Sequence, residues 1–340
     1  MYPPFRNLPA RIPETGLIGQ HGPYLADPGL VHAANTALGL GMPLLLTGEP
    51  GCGKSDFAWA AAHALGPDKP LLCQVRSDSR ARDLLYHYDA LIRFADAQAQ
   101  APRARDPRHY VSLRPLGLGM MSRHRRVVRI DEIDKAPRDL PNDLLLELDE
   151  GNFEIPEIGD LEDNAAPIHD RKHPDIELCR DMVRPASAAK PLVIITSNAE
   201  RQLPEPFLRR CIFFHIRYPR PQQLESILKA RFKDEPQLSE IAARVFQGLR
   251  DHSKDFIKAP TIAEMLQWTD ALTRLYDRDF VTDALDSFDV TLKKHGGKLP
   301  PVTREKPGLT WADLPGLSCL IKHTDDLVLV GVDVRHVDPA

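Results

Sequence analysis

A glycine-rich stretch that ends in Lys54 and Ser55 carries the clearest chemistry of the sequence. An apolar run precedes it and helix-forming residues follow it, so the pattern predicts a strand, a loop and a helix in succession. Its glycines would let backbone N–H groups approach phosphate oxygens, and the start of the helix would add further donors. Lys54 would reach the β- and γ-phosphates of a nucleotide, and the Ser55 hydroxyl would ligate Mg²⁺. The residues predicted to bind nucleotide are Gly48, Glu49, Pro50, Gly51, Cys52, Gly53, Lys54 and Ser55.

Two carboxylates, Asp131 and Glu132, close a second apolar run. Such a run predicts a parallel strand, and the carboxyl ends of parallel strands are where α/β sheets bind ligands. Asp131 would hold Mg²⁺, and Glu132 would act as the general base toward an attacking water. Acids after a strand also commonly begin a helix. Their position after a glycine-rich loop favours the catalytic interpretation.

Two later sites offer further candidates. Asn198 ends a third apolar run, where its amide could orient water at the γ-phosphate or simply begin a turn. Arg209 and Arg210 connect a short predicted helix to a last strand. These arginines are either surface charges or an arginine finger for the nucleotide of a neighbouring subunit.

The elements that must position these side chains alternate between strand and helix up to about residue 218, which predicts a parallel α/β sheet. We divide the chain into an N-terminal arm (1–20), an α/β nucleotide-binding domain (21–218), a smaller all-α domain (219–328) and a C-terminal tail (329–340). Within the α/β domain, residues 76–126 are interpreted as a helical insertion.

Four segments carry more local predictions. The arm at its N-terminus is expected to be loose, and residues 83–94 show the apolar spacing of one helix. Residues 115–121 are interpreted as flexible and apolar, and residues 157–185 as an exposed polar loop. Near the C-terminus, residues 317–327 suggest one more helix, followed by a short strand or tail.

Composition excludes several classes of protein. The formal net charge of −4 argues against a general affinity for nucleic acid or for an anionic membrane. The five cysteines are scattered and show no metal-binding spacing, which favours a reduced, cytoplasmic setting. No apolar run approaches membrane-spanning length.

Charge is distributed unevenly along the chain. Residues 76–129 hold twelve Arg and five Asp, a net charge of +7, whereas residues 131–184 carry a net charge of −11. Opposite faces could help subunits assemble or hold an acidic client, or both could be solvated surfaces of one subunit. The arginines at issue are Arg103, Arg105, Arg108, Arg123, Arg125 and Arg126.

Taken together, these motifs resemble those of the AAA+ ATPases, and more narrowly those of the MoxR-like branch. The resemblance covers about residues 20–328 and rests on the segments at 44–55, 130–136, 196–201 and 207–211. It implies a core of five parallel strands in the order 5-1-4-3-2, flanked by helices, and an all-α lid. It also implies a homo-oligomeric ring, in the first place a hexamer, with ATP and Mg²⁺ between subunits.

The resemblance assigns roles residue by residue. Asn198 corresponds to the sensor-1 residue, and Arg209 or Arg210 to an arginine finger acting in trans. The family's lid also supplies a sensor-2 arginine, but the matching helix start has none, so either Lys258 takes this role or the role is absent. The branch further implies chaperone-like work on a client, commonly with a partner that bears a von Willebrand A domain.

Three functions therefore stay open. The first is an ATP-driven remodeler, or metal-insertion chaperone, of a partner protein. The second is a nucleic-acid motor or a restriction or defence subunit on the same ATPase core, which the arginine-rich insertion favours but the net charge does not. The third is a nucleotide-gated scaffold that scarcely turns over.

Overall fold

The computed structural model describes residues 10–159, 166–184, 189–253, 256–297, 299 and 308–332. Its β-strands are β1 (Ile18–Gly19), β2 (Gly22–Pro23), β3 (Leu44–Gly48), β4 (Leu71–Gln74), β5 (Tyr86–Tyr88), β6 (Val111–Leu113), β7 (Val127–Asp131), β8 (Asn152–Glu154), β9 (Asp181–Val183), β10 (Leu192–Ser197) and β11 (Ile212–Ile216). Its α-helices are α1 (Pro28–Leu40), α2 (Lys54–Leu65), α3 (Ala81–Leu85), α4 (Ala90–Gln98), α5 (Pro115–Met121), α6 (Leu140–Asp143), α7 (Leu145–Glu150), α8 (Glu205–Leu208), α9 (Pro221–Arg231), α10 (Pro236–His252), α11 (Ile262–Leu275), α12 (Arg278–Lys294) and α13 (Thr324–Leu329).

Backbone proximity divides the chain into two compact units. The first contains Lys54–Ile216 and the described residues up to Gly48. The second contains the described residues from Arg217 onward together with Glu49–Gly53, the tip of the glycine-rich loop. In sequence, the change from one unit to the other at Arg217 lies beside the boundary of 218–219 that we predict.

The first unit is built on a parallel five-stranded sheet in the order β11-β3-β10-β7-β4. Numbered in chain order, this is the predicted order 5-1-4-3-2, which the structure confirms. Every residue of β3 and β10 is buried. Central parallel strands are covered by helices on both faces, which is why both read as continuous apolar runs in the sequence. The carboxyl ends of β3, β7 and β10 lie side by side, because neighbouring strands run in the same direction.

The segment at 115–121 forms helix α5, so the prediction that it is flexible is wrong. All of its residues from Leu116 to Met121 are buried. Its glycines serve close packing: a Cβ added to Gly119 would lie 2.3 Å from Val128 Cγ2, and one added to Gly117 would lie 2.1 Å from the Leu85 carbonyl oxygen. The helix therefore rests directly on strand β7.

The segment at 76–126 is helical only in part. The single helix expected over 83–94 is interrupted by β5, which pairs antiparallel with β6. Tyr86 and Tyr88 are aromatic residues, which favour β-strands. Asp89 then caps the N-terminus of α4 by accepting a hydrogen bond from the Ile92 N–H. Helical spacing of the apolar residues does not reveal this break, because β5 depends on a partner strand more than twenty residues away.

Two other predicted loops are more ordered than expected. In the N-terminal arm, Ile12 is buried and its backbone exchanges hydrogen bonds with the side chain of Asn35; residues 1–9 lie outside the described residues. In the polar segment at 157–185, strand β9 pairs with β8, and buried Asp170 accepts a hydrogen bond from the Leu113 N–H of β6. Residues 160–165 of that segment lie outside the described residues.

The second unit contains α9 to α13 and, in its described residues, no strand. The predicted helix over 317–327 and the following strand are replaced by α13, whose Asp326 is fully buried. The predicted tail lies largely outside the described residues, from position 333 onward. Among the described residues of both units, no helix has the length and apolar character that crossing a membrane requires.

Candidate functional site

Lys54 is the first residue of α2, and its side chain is turned toward the strand that precedes the loop. Its Nζ donates a hydrogen bond to the Gly48 carbonyl oxygen over 2.8 Å, and the lysine is buried. The loop between them holds Gly51 at φ +73° and Gly53 at φ +94°, which side-chain-bearing residues rarely adopt. Glycine is therefore favoured at both positions by the backbone conformation of the loop.

Asp131, at the end of β7, is held by three side chains. The register of β7 against β10 pairs Ile130 with Ile195, so Thr196 lies beside Asp131. Asp131 Oδ1 accepts hydrogen bonds from Thr196 Oγ1 (3.0 Å) and from Ser55 Oγ (3.3 Å). Its Oδ2 forms an ion pair with Arg129 Nη2 over 2.8 Å. A carboxylate and a hydroxyl from two distant segments meet here, and hard oxygen donors of this kind suit Mg²⁺.

Glu132 follows in the left-handed conformation, at φ 54° and ψ 52°. Its N–H donates to Thr196 Oγ1 over 3.0 Å, and its Oε1 accepts from Asn198 Nδ2 over 3.2 Å. Its Oε2 pairs with Lys135 Nζ over 2.8 Å, and this hydrogen bond raises the pKa of Lys135. A non-glycine residue with positive φ is costly and such residues concentrate at functional sites. The structure thus brings Glu132 and Asn198 together at the ends of adjacent strands.

Three residues that the sequence analysis did not single out complete this part of the site. Thr196 connects the Asp131 carboxylate to the Glu132 backbone. Asp134, which is buried, accepts hydrogen bonds from the N–H groups of Asn198 and Glu200 and so holds the loop after β10. Arg129 was counted only as part of a basic block. An arginine within an apolar, buried strand is rare enough to have been a signal.

The hydrogen bonds of Arg209 and Arg210 lead away from the strand ends. Arg209 pairs with Glu205 one turn earlier on α8, at 2.5 Å, and about three-quarters of each side chain is exposed. Arg210 pairs with Asp149 at 2.8 Å and also donates to the Pro206 carbonyl oxygen. Both arginines therefore lie on the exposed surface of the first unit.

Within the second unit, Lys258 is a surface residue that pairs with Glu264 at 3.3 Å. Its backbone N–H donates to the buried carboxylate of Asp326. Arg250 of the same unit contacts the glycine-rich loop, which we did not predict. Its Nη2 lies 2.5 Å from Glu49 Oε2. Its guanidinium also lies 3.5 Å from the ring centroid of Tyr218. Sequence reasoning missed Arg250 because nothing local connects it to Glu49, about two hundred positions earlier.

Comparison with known families agrees with this geometry. Residues 43–211 match the family described as the AAA domain of the dynein-related subfamily. This segment is similar to an AAA domain. The AAA domain is a P-loop NTPase domain, so the match supports an AAA+ ATPase and the predicted binding of nucleotide by the glycine-rich loop. The narrower MoxR-like assignment stays a prediction. No curated protein sequence matches the chain.

Proposed function

We propose that this protein is a Mg²⁺-dependent ATPase of the MoxR-like branch that assembles as a ring and uses ATP hydrolysis to remodel a partner protein. One observation carries the ATPase part: five side chains from three distant segments converge at the ends of β7 and β10, next to the start of α2. They are Ser55, Asp131, Glu132, Thr196 and Asn198.

Ser55 and Asp131 are the residues that would hold Mg²⁺. Their oxygens lie 3.3 Å apart and provide a hydroxyl and a carboxylate, the donor types that this cation takes alongside nucleotide phosphates. When bound, the cation would neutralise charge that develops on the phosphate oxygens. Lys54, folded onto the Gly48 carbonyl, would exchange that partner for phosphate oxygens.

Glu132 is the proposed general base. As a water oxygen forms a bond to the γ-phosphorus and the bond to the β,γ-bridging oxygen breaks, Glu132 takes the proton of the water. Asn198, whose amide contacts the same carboxylate, would orient that water. Arg209 or Arg210 would stabilise the leaving charge in the site of a neighbouring subunit.

Protein, rather than nucleic acid, is the favoured client. Two of the arginines in the basic segment are taken up within it: Arg103 pairs with Asp96 and Arg108, which is buried, pairs with Asp106. Each pair sets one positive charge against an acid of the same segment, which reduces the positive charge available to a phosphate backbone. The MoxR-like assignment suggests a partner that bears a von Willebrand A domain. The scattered cysteines suggest that the protein works in the cytoplasm.

Two substitutions test the ATPase. Glu132→Gln should retain ATP and lose roughly 10²–10⁴-fold in turnover, because a carboxamide cannot accept the proton. Lys54→Ala should lose nucleotide affinity itself. Glu154→Gln, which breaks a surface ion pair with Arg180, is the matched control and should hydrolyse ATP at the parent rate. A Glu132→Gln protein that turns over like the parent would remove Glu132 from its role.

The client is sought with the same variant. Glu132→Gln protein loaded with ATP should retain a protein partner that Lys54→Ala protein does not. The nucleic-acid alternative predicts instead that the chain binds DNA with an affinity that falls steeply as salt rises. Fluorescence anisotropy with labelled DNA at 50 and 200 mM salt distinguishes the two.

A further inference from the structure

Arg129 contacts both residues that are proposed to hold Mg²⁺, but the proposed reaction gives it no role. It lies two residues before Asp131 on β7, so both side chains project from the same face of the sheet. Its Nη2 lies 2.8 Å from Asp131 Oδ2, and its Nη1 donates to the Ser55 carbonyl oxygen over 3.1 Å. Only 11% of the Arg129 side chain and 19% of the Asp131 side chain are exposed. The two residues proposed to hold Mg²⁺ are thus both in contact with one guanidinium.

Stability alone does not account for an arginine at this position. Its Nε is buried and has no hydrogen-bond partner among the described residues, and an unsatisfied buried donor is costly. Its charge also lies against the first turn of α2, where the helix dipole disfavours cations. An apolar residue of similar length would fill the strand without either penalty. The arginine is therefore better explained by what its charge does to Asp131.

The orientation of Asp131 does not require Arg129 either. Oδ1, the oxygen that faces Ser55, is held by the hydroxyls of Thr196 and Ser55. Arg129 binds the other oxygen, Oδ2. What Arg129 adds is a positive charge in direct contact with the carboxylate.

Three cations, Lys54, Arg129 and Lys135, lie around the strand ends together with the carboxylates of Asp131, Glu132, Asp134 and Glu200. Lys135 is engaged by Glu132, and Lys54 by the Gly48 carbonyl. Arg129 is the cation that neutralises the carboxylate proposed to face the metal.

We infer that Arg129 keeps Asp131 neutralised until nucleotide arrives, so that the site takes up a divalent cation as its nucleotide complex and not as the free ion. Mg²⁺ gives up its water reluctantly and needs anionic ligands. A carboxylate already paired with a guanidinium attracts it weakly, whereas the phosphates of a nucleotide supply the missing negative charge. The inference rests on the proposed function, because it takes Ser55 and Asp131 as the residues that hold the metal.

The test uses nucleotide-free protein and Mn²⁺ as the probe, with free Mn²⁺ measured by electron paramagnetic resonance. Arg129→Met removes the charge and keeps most of the stem, and Arg129→Gln retains hydrogen-bonding capacity. Removal of a positive charge in contact with a carboxylate strengthens the attraction of that carboxylate for a divalent cation. We therefore expect the Mn²⁺ Kd of both variants to fall at least ~10-fold below that of the parent.

Three further proteins make the result specific. Arg126→Met removes a neighbouring arginine that pairs with Asp68, and should bind Mn²⁺ like the parent. Arg129→Lys keeps the charge and should stay closer to the parent than Arg129→Met does. Adding Asp131→Asn to Arg129→Met should abolish the gain, which assigns the gain to that carboxylate.

A second readout is thermal stability in the presence of Mg²⁺ without nucleotide. The Tm of Arg129→Met should rise with Mg²⁺ and that of the parent should not. The inference would be overturned if both variants fold and their Mn²⁺ Kd lies within twofold of that of the parent. Arg129 would then only have a structural role in connecting β7 to α2.

If neither variant folds, Mn²⁺ binding by the parent protein tests the inference. Saturable Mn²⁺ binding by the nucleotide-free parent that Asp131→Asn abolishes would overturn the inference, and Mn²⁺ uptake that appears only on addition of ADP supports it. None of these measurements depends on hydrolysis. A failure of the proposed ATPase would appear separately, as normal turnover by the Glu132→Gln protein.

Discussion

The strand ends of the central sheet and the edge formed by α8 both carry residues proposed for hydrolysis, but they are held in opposite ways. At the strand ends, Asp131, Thr196 and Asn198 contact one another or Glu132, and their positions follow from the pairing of β7 with β10. Directly after α8, Arg209 and Arg210 pair with acids on the exposed surface. The comparison teaches that one chain brings the proposed acid–base and metal-binding groups together by itself, whereas its two arginines remain on the exposed surface.

The largest effect is expected from substitution of Arg209 or Arg210, the two exposed arginines. Arg209 pairs only with Glu205 among the described residues, and an exposed pair of this kind contributes about 0–1 kcal/mol, so it is easily released. Arg210 is anchored by Asp149 and by the Pro206 carbonyl. We therefore expect Arg209→Ala to lower turnover by ~10³–10⁵-fold, as loss of a finger does, and Arg210→Ala to lower it less. Steady-state hydrolysis by protein whose assembly is checked by sedimentation measures both.

A mixing experiment tests whether the finger acts in trans. Arg209→Ala and Lys54→Ala proteins should each be inactive, whereas mixed rings should regain activity through sites that combine an intact loop with an intact arginine. Absence of recovery in rings shown to be mixed would place the finger in cis or make it structural. A larger loss in Arg210→Ala would reverse the assignment between the two arginines.

The next largest effect is expected from substitution of Thr196, at the strand ends. Thr196→Val keeps the shape of the side chain and removes the hydroxyl that donates to Asp131 and accepts from the Glu132 N–H. We expect turnover to fall by about tenfold, as one positioning contact is lost, and stability to fall by ~1–3 kcal/mol, since the amide loses its partner. Hydrolysis assays and urea unfolding measure the two effects.

Thr269→Val is the matched control for Thr196. Thr269 is a buried threonine of α11 whose hydroxyl donates to the Met265 carbonyl oxygen. It should change stability without changing turnover. Equal turnover losses in both variants would mean that the hydroxyl of Thr196 has no special place in the site.

A smaller effect is expected from the packing that supports β7. Gly119→Ala would place a methyl group 2.3 Å from Val128 Cγ2, and overpacking of this kind costs about 1–3 kcal/mol. Part of this cost is offset, because alanine favours a helix by ~1 kcal/mol over glycine. Urea unfolding should show a lower midpoint. Gly66→Ala, where an added Cβ meets nothing within 4 Å, is the control and should not be destabilised.

The smallest effect concerns the charge blocks. The structure removes Arg103 and Arg108 from the arginines expected to face a partner, since both are paired within the insertion. Reversal of Arg123 and Arg125 to Glu should weaken assembly at low salt and matter less at 1 M, where the Debye length is ~3 Å. Each exposed pair contributes only about 0–1 kcal/mol, so sedimentation at low protein concentration is needed. An oligomer distribution that ignores both the reversal and the salt would leave these arginines without an assembly role.

The sequence by itself determined the parallel α/β sheet and the residue types of the site. Two local features can be recognised without a structure. They are the spacing from Gly48 to Ser55 and the acids that end a buried strand. The resemblance to a family then implied five strands and their order, and the sheet confirms both. Local patterns misled where a glycine permits close packing, as at Gly119, and where β5 interrupts helical spacing to pair with β6.

Only the tertiary structure decided which side chains act on one another. Thr196 lies 65 positions after Asp131, and the two meet because β10 pairs with β7 in one register; a shift of one residue would turn the hydroxyl to the opposite face of the sheet. The contact of Arg129 with both Asp131 and Ser55 likewise requires β7 to pack against the start of α2. Neither the register nor the packing is encoded in any short stretch, because each is set by the burial of many apolar residues at once.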